Sequence, residues 1–373
     1  GSVRCVEEAE SGLLADRGLP AVRVRAMLQQ LAKASENHVS GTKPILEFRT
    51  GTLPMDEFGN VRLADTAPGI LRDYGWDRLV YVTDLPLTTR RPVISQTVEQ
   101  GKATMLCLPA FGLLRAKEGL WQELSRLVCG KHAGAGQREK GVDEIEGGDA
   151  EADTTRVLEG RGRTLRLLLG MIRGNRPGQL LKVLSSCLAT GVATGGFGIF
   201  YGSVWEMSYL ISPWRQIMIT ILSITLLTFW LIYKNGLWNG GYSRKAEPSV
   251  LSVGADATST QASSDSVEWW RARMDNLATI GTVLISATGV YALIYLTMLL
   301  VSAAVVPVPF FENKVNSTIT PLDYLTLAWF AASLGTLGGA LGSSFDTDES
   351  VREATYNRRE LQRRQIVGLF DGD

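Results

Sequence analysis

Hydrophobic and polar positions alternate in two different ways along this chain. From about residue 20 to 129, apolar residues come in short runs broken every few positions. Beyond residue 182 they gather into long uncharged blocks. The longest, Asn276 to Phe311, runs thirty-six residues without Asp, Glu, Lys or Arg. A bilayer span takes about 20 such residues, more than a buried helix of a soluble domain needs. Three further uncharged blocks predict spans at 183–205, 216–233 and 324–345. Pro307 and Pro309 should end the long helix near Val306, giving a third span at 276–306 and leaving Pro307 to Phe311 as an apolar, non-helical strip. Even so the third helix is overlong and should tilt, or project towards Trp269 and Trp270. The expectation is a four-helix membrane domain over 183–345, followed by a tail at 346–373.

The first region reads differently. Val22, Val24, Met27, Leu28 and Leu31 recur at helical spacing within Pro20 to Asn37. Lys43 to Thr50 and Arg78 to Thr83 read as strands, with a helix at Leu63 to Tyr74 between them. Arg91 to Thr97 and Lys102 to Leu108 are two more strands, and Gly112 to Val128 a leucine-faced helix. This order predicts a small α/β domain over 20–129. The acidic stretch before it, 1–19, is expected to be flexible. The Gly/Glu/Asp-rich segment at 130–155 is expected to be a disordered linker.

Between linker and first span, 156–177 sets Arg161, Arg163, Arg166, Arg173 and Arg176 around Leu165, Leu167, Leu168, Leu169, Met171 and Ile172. A basic amphipathic helix beside a span lies on the anionic headgroups of the cytoplasmic leaflet. The alternative is an ordinary helix packed on the α/β domain. Basic residues also crowd the 234–275 loop and the tail, whereas the loops at 206–215 and 312–323 hold only Arg215 and Lys314. Positive residues stay inside, so the expectation is a multi-pass plasma-membrane protein with both termini and the α/β domain cytoplasmic. Within the long loop, Ala246 to Ser266 is rich in Ser, Ala and Thr and should be mobile.

Charge and composition narrow the chemistry. Thirty-eight basic residues balance thirty-eight acidic ones, and no basic face with interleaved aromatics points to nucleic acid. Cys5, Cys107, Cys129 and Cys187 share no metal-ligand spacing with one another or with His38 and His132. The plain reading is free thiols in a reducing compartment, with no metal site and no cofactor. The chain opens Gly1-Ser2 without Met, which suggests a cloning remnant or a shortened start, and its first residues lack the apolar core of a signal peptide.

Motifs for nucleotide loops, zinc proteases and serine hydrolases are missing from the sequence. The best ligand position is Asp84, just beyond the Arg78–Thr83 strand, with Arg90 and Arg91 as anion partners. Asp84 is also the weak candidate for a catalytic base or metal ligand; the simpler reading makes it a turn residue before Pro86. Asp56 and Glu57 likewise read as turn residues. In the spans, Gly191–Gly195 and Gly198–Gly202, with Gly335–Gly339 and Gly338–Gly342, have the spacing that lets helices approach closely. Spans one and four are therefore expected to pack through these faces, within or between chains. The span centres carry no ionisable group, which argues against ion-coupled transport. A passive pore lined by Thr220, Ser223, Thr225 and Thr228 competes with back-bonding of those hydroxyls to their own helices.

Four stretches carry a resemblance: VYVTDLPL (Val80 to Leu87), MLCLPAFG (Met105 to Gly112), PWRQIMITILS (Pro213 to Ser223) and LGTLGGALGSSFDTDESVREATY (Leu334 to Tyr356). Through them the chain resembles an uncharacterised family of actinobacterial four-span integral membrane proteins, over about residues 20 to 360. The resemblance implies the architecture above and supplies no activity. Some similar sequences bear a methylenetetrahydrofolate dehydrogenase/cyclohydrolase label. Its local echo here is Leu85-Pro86-Leu87, without a dinucleotide loop or a Lys-bearing catalytic helix. The expectation for function is a non-enzymatic binding or accessory subunit, working as a homo-oligomer or within a larger membrane complex. A membrane-tethered enzyme at Asp84 and a passive channel are the alternatives.

Overall fold

The computed structural model describes residues 10–36, 45–87, 91–113, 116–129, 142–146, 152–240 and 257–370. The chain divides into two compact units. One comprises Gly1–Gly174, Asn239–Asp275 and Asn357–Asp373; the other comprises Asn175–Trp238 and Asn276–Tyr356.

The first unit is built on a seven-stranded sheet. Its strands are β1 (Glu10–Ala15), β2 (Ile45–Thr50), β3 (Arg78–Thr83), β4 (Val93–Val98), β5 (Ala103–Cys107), β6 (Val142–Glu146) and β7 (Thr154–Leu158), in the order β2-β1-β3-β5-β4-β7-β6. Strands β2, β1, β3 and β5 run parallel, and β4, β7 and β6 each pair antiparallel with the neighbour before them. Helices α1 (Leu19–Glu36) and α2 (Leu63–Tyr74) make the crossovers from β1 to β2 and from β2 to β3. Because side chains alternate along a strand, β1 and β3 feed both faces. Leu13, Val80 and Val82 meet Val24, Met27 and Leu31 of α1, together with Leu120 and Leu124 of α3 (Ala116–Cys129). Leu14, Leu79 and Tyr81 meet Leu63, Ala67 and Trp76 on the other face. Burial on both faces is what a parallel sheet requires.

Three sequence expectations for this unit change. The stretch expected to be a flexible N-terminus contains β1, with Leu13, Leu14 and Ala15 buried and partners on both sides. The acids before it hide an apolar run that ends in Asp16-Arg17-Gly18 and turns into a helix. The linker expected at 130–155 also contains structure. Residues 130–141 and 147–151 lie outside the described residues, but Val142–Glu146 pairs along its full length with β7. An edge strand tolerates its three carboxylates because only one side is paired. Arg156, expected in the basic segment, lies in β7, where it forms an ion pair with Glu123.

The basic helix itself is α4 (Arg163–Gly174). It buries Leu167, Gly170, Met171 and Gly174 against the 3-10 turn Leu108–Phe111. Gly170 sits directly on the Pro109 carbonyl, where any Cβ would collide with backbone. The helix thus packs on the domain. Arg161, Leu165, Arg166, Leu169 and Arg176 remain exposed, while Arg163 and Arg173 are half-buried. The face left for a membrane surface is narrower than the sequence pattern suggests.

The second unit is helical, with three helices long and apolar enough to cross a membrane. These are α8 (Pro213–Lys234), the Trp269–Val305 part of α9 (Ala257–Val305), and α11 (Pro321–Gly342) extended by a 3-10 turn to Phe345. The expected first span is not one straight helix. It is α5 (Pro177–Val183) and α6 (Ser185–Ile199), bent by 63° at Leu184, then a break at Phe200-Tyr201 before α7 (Gly202–Leu210). Helix α9 ends at Val305, as Pro307 requires. The expected non-helical strip after it is instead the start of α10 (Val308–Val315), because Pro309 falls in the first turn, where no amide hydrogen is needed. The Ser/Ala/Thr-rich stretch at 246–266 lies outside the described residues up to 256 and is helical from Ala257 onward.

Helices α6 and α11 meet backbone to backbone. A Cβ on Gly335 would stand 2.5 Å from the Gly191 carbonyl oxygen. One on Gly195 would lie 3.0 Å from that of Ala331, and one on Gly339 2.8 Å from that of Cys187. Gly338 faces the Thr194 side chain, and Gly342 faces the Thr190 side chain together with the Ser186 carbonyl oxygen, 3.0 Å from a Cβ there. Gly202 lies instead against the Lys314 side chain, and Gly198 has nothing within 4 Å. Hydroxyls join the other helices. Trp329 Nε1 donates to Thr220 Oγ1 (2.6 Å), and the Thr220, Tyr291 and Ser333 hydroxyls lie 3.2–3.3 Å from one another. Thr220, Ser223 and Thr228 also donate to carbonyls four residues back. The bonds among Thr220, Tyr291, Trp329 and Ser333 join α8, α9 and α11.

Candidate functional site

In an open parallel sheet, the crevice for a ligand opens where strand order reverses, beyond the carboxyl ends of the strands. Here β1 lies between β2 and β3, so the reversal places that crevice at Asp16, the Thr50–Leu53 loop and Thr83-Asp84. The chain is fixed there by backbone bonds. Asp16 N–H donates to Val82 O (3.0 Å), Gly51 N–H donates to Ala15 O (3.1 Å), and the Asp16 carbonyl accepts Ala21 N–H at the start of α1 (3.2 Å).

Asp16 is the centre of the site and is almost wholly buried, at 1% exposed. Tyr81 Oη donates to its Oδ1 (2.5 Å), and Thr83 Oγ1 to its Oδ2 (2.6 Å). The Tyr81 oxygen in turn accepts Leu53 N–H (3.4 Å), and Thr83 Oγ1 accepts Leu85 N–H (3.1 Å). Arg359 completes the arrangement. Its Nε lies 3.5 Å from Asp16 Oδ1, and its Nη2 donates to the Leu53 carbonyl. Burial raises the Asp16 carboxyl above its ordinary value, although Arg359, Thr83 and Tyr81 all pull it down. Burial likewise raises the Tyr81 hydroxyl. The carboxylate is held still and desolvated, and a cation faces it.

Arg359 belongs to α13 (Arg358–Ile366), which follows α12 (Asp348–Thr355) in the chain and whose Asn357 cap accepts Glu360 N–H at 2.8 Å. The residues this helix buries are Arg359, Glu360, Arg363 and Arg364. Arg363 reaches Asp275 (2.6 Å) and Glu360 (2.8 Å), and Arg364 reaches Glu360 (2.9 Å). Arg271 donates to Asn60 Oδ1 (2.8 Å) in the neighbouring turn, where Asp56 Oδ1 accepts the N–H groups of Phe58 and Asn60. Asp56 is therefore a turn residue, as its sequence suggests.

Burial pushes the Glu360 carboxyl up, but Arg363 and Arg364 outweigh it and hold it below the ordinary 4.5. A depressed carboxyl stabilises the fold above its unfolded value, and that contribution is lost as pH falls through the folded value. We therefore expect α13 to stay docked at neutral pH and to open on acidification below 4.5, read as loss of its hydrogen-exchange protection. Glu360→Gln should reduce the loss of protection on acidification, and an unchanged acid limb in the variant would contradict the assignment. Asp16 works the other way. Its raised value lowers stability as pH rises from 3.8 through the folded value.

The residues singled out from sequence are placed as follows. Asp84 is buried beside the crevice, and its charge acts on Arg173 and Cys107. Arg173 is lowered by burial and by Arg23, with Asp84 opposing. Cys107 donates to Leu85 O (3.3 Å), and burial pushes its thiol up to about 11. Arg91 turns to Asp143 (3.4 Å) and Glu159 (3.5 Å) of the antiparallel half of the sheet. Arg90 lies outside the described residues. Asp16, Tyr81 and Arg359 were not legible as a site. The available signals were the apolar run before Asp16-Arg17-Gly18 and the Asn357-x-x-Glu360 helix start. Comparison of the chain with protein-family models, with curated proteins and with solved structures returns no match.

Proposed function

We propose that this is a multi-pass membrane protein whose α/β domain is a binding module, an accessory subunit of a plasma-membrane complex. Three long apolar helices support the membrane reading. They leave Ile221, Leu222, Phe229, Leu296, Leu300 and Leu341 exposed, as lipid contact favours and water does not. The bent pair α5–α6 supplies the fourth span. The distribution of basic residues puts both termini on the cytoplasmic side, and the exposed arginines of α4 meet anionic headgroups.

One observation carries the binding reading. The crevice carboxylate is committed to Tyr81, Thr83 and Arg359, an arrangement that grips a cation. The test is purification from native membranes of the wild type and of Asp16→Asn. We expect the chain to resist alkaline carbonate extraction and to bring a companion whose recovery falls in the variant. Release by carbonate would contradict the membrane reading. Substrate turnover abolished by Asp84→Asn would favour the tethered enzyme instead.

A further inference from the structure

We propose that the crevice at the carboxyl ends of β1, β2 and β3 is a receptor for a guanidinium group, and that Arg359 is a built-in occupant which an external guanidinium displaces. The inference rests on the binding-module reading above and gives that module its ligand class.

The receptor half is assembled without the tail. Tyr81 and Thr83, both of β3, orient the Asp16 carboxylate, and the Leu53 carbonyl comes from the loop after β2. Two acceptors on separate segments suit the edges of a planar donor fork, which an ammonium cannot span in the same way. A buried carboxylate left without a cation is costly. The crevice, once vacated, therefore selects for positive charge.

The resident occupant uses this receptor incompletely. Arg359 Nε stands 3.5 Å from Asp16 Oδ1, beyond a good hydrogen bond. Its Nη1 is turned to Gln362 of its own helix at 3.4 Å. An untethered guanidinium can set both edges on the acceptors. The tail is also suited to leaving. Every residue that α13 itself buries is charged, with Phe370 the buried apolar residue beyond its end, and buried ion pairs lose much of their attraction to desolvation. Elements held with little apolar contact open at low free energy.

The test uses the full chain in detergent, comparing wild type, Arg359→Ala and Asp16→Asn/Arg359→Ala by calorimetry. The probes are N-acetylarginine methylamide, N-acetyllysine methylamide and agmatine. Removing an occupant that fills the site most of the time should tighten binding of the arginine probe at least about tenfold. The double variant should lose that binding, and the lysine probe should bind at least about tenfold more weakly. Agmatine matching the arginine probe would assign the site to free guanidinium compounds. A clear preference for the arginine probe would assign it to an arginine within a protein chain. Equal affinity of wild type and Arg359→Ala, equal affinity for lysine and arginine probes, or binding retained by the double variant would each overturn the proposal. Should Arg359→Ala fail to fold, hydrogen exchange of α13 in the wild type decides. The arginine probe should accelerate it and the lysine probe should not; identical exchange would overturn the proposal. These outcomes concern ligand class alone, since the binding-module reading fails separately, on carbonate release or on turnover at Asp84.

Discussion

Replacing Arg363 with Ala detaches α13, at a cost of about 3–5 kcal/mol. The guanidinium lies between Asp275 (2.6 Å) and Glu360 (2.8 Å), and all three side chains are buried. Taking away the cation leaves Asp275 and Glu360 to repel each other in a buried place, with Arg364 (2.9 Å from Glu360) only partly offsetting the loss. Asp275 belongs to α9 and Glu360 to α13, so their repulsion acts on the contact that docks the tail. Limited proteolysis should cut the variant within 358–366 while the wild type resists, and exchange protection of α13 should collapse. Adding Asp275→Asn removes that repulsion and should recover much of the loss, since contacting residues are not additive. Unaltered protection in Arg363→Ala would show that the tail is held by something other than these pairs.

Gly335→Leu should cost at least about 2–3 kcal/mol, because it forces side-chain atoms between two helix backbones. A Cβ there meets the Gly191 carbonyl oxygen at 2.5 Å and the Gly195 Cα at 3.3 Å. Neither can move without shifting α6 as a whole. Gly338→Leu meets the Thr194 side chain and should loosen the same contact less, with Gly342→Leu, which also meets the Ser186 carbonyl oxygen at 3.0 Å, between the two. Gly198→Leu meets nothing within 4 Å and should leave stability within about 0.5 kcal/mol, the range of open surface changes. Denaturant melts of the four variants in one detergent check the ranking. Equal loss at Gly198 and Gly335 would contradict the assigned packing faces.

The parts of the fold that sequence shows are those set by local periodicity. Strand β3 falls on Arg78–Thr83 and helix α2 on Leu63–Tyr74, both at their expected limits. The uncharged blocks coincide closely with α8 and α11. Where composition stood in for pattern, the reading fails. The acids upstream of β1 and the glycines around β6 mask short strands that form only because the sheet offers partners. The bend at Leu184 lies two residues after Lys182, a charge that reads in sequence as the edge of the uncharged block and not as a break inside a span. The site was half legible. Strand-end logic finds Thr83-Asp84, but the centre lies at Asp16, which is joined to Tyr81 and Arg359 only by tertiary folding. An Arg/Glu-rich tail looks like a solvated helix, because burial of charge is invisible until partners such as Asp275 and the Leu53 carbonyl are in place.

The claim on which the rest depends is that Asp16 and Arg359 hold each other across the crevice. A double-mutant cycle of Asp16→Asn and Arg359→Met, read as denaturant stability of the first unit in the intact chain, measures that directly. The account predicts a coupling of about 1 kcal/mol or more in favour of the native pair, within the range of contacting charged residues. Strictly additive losses would contradict it.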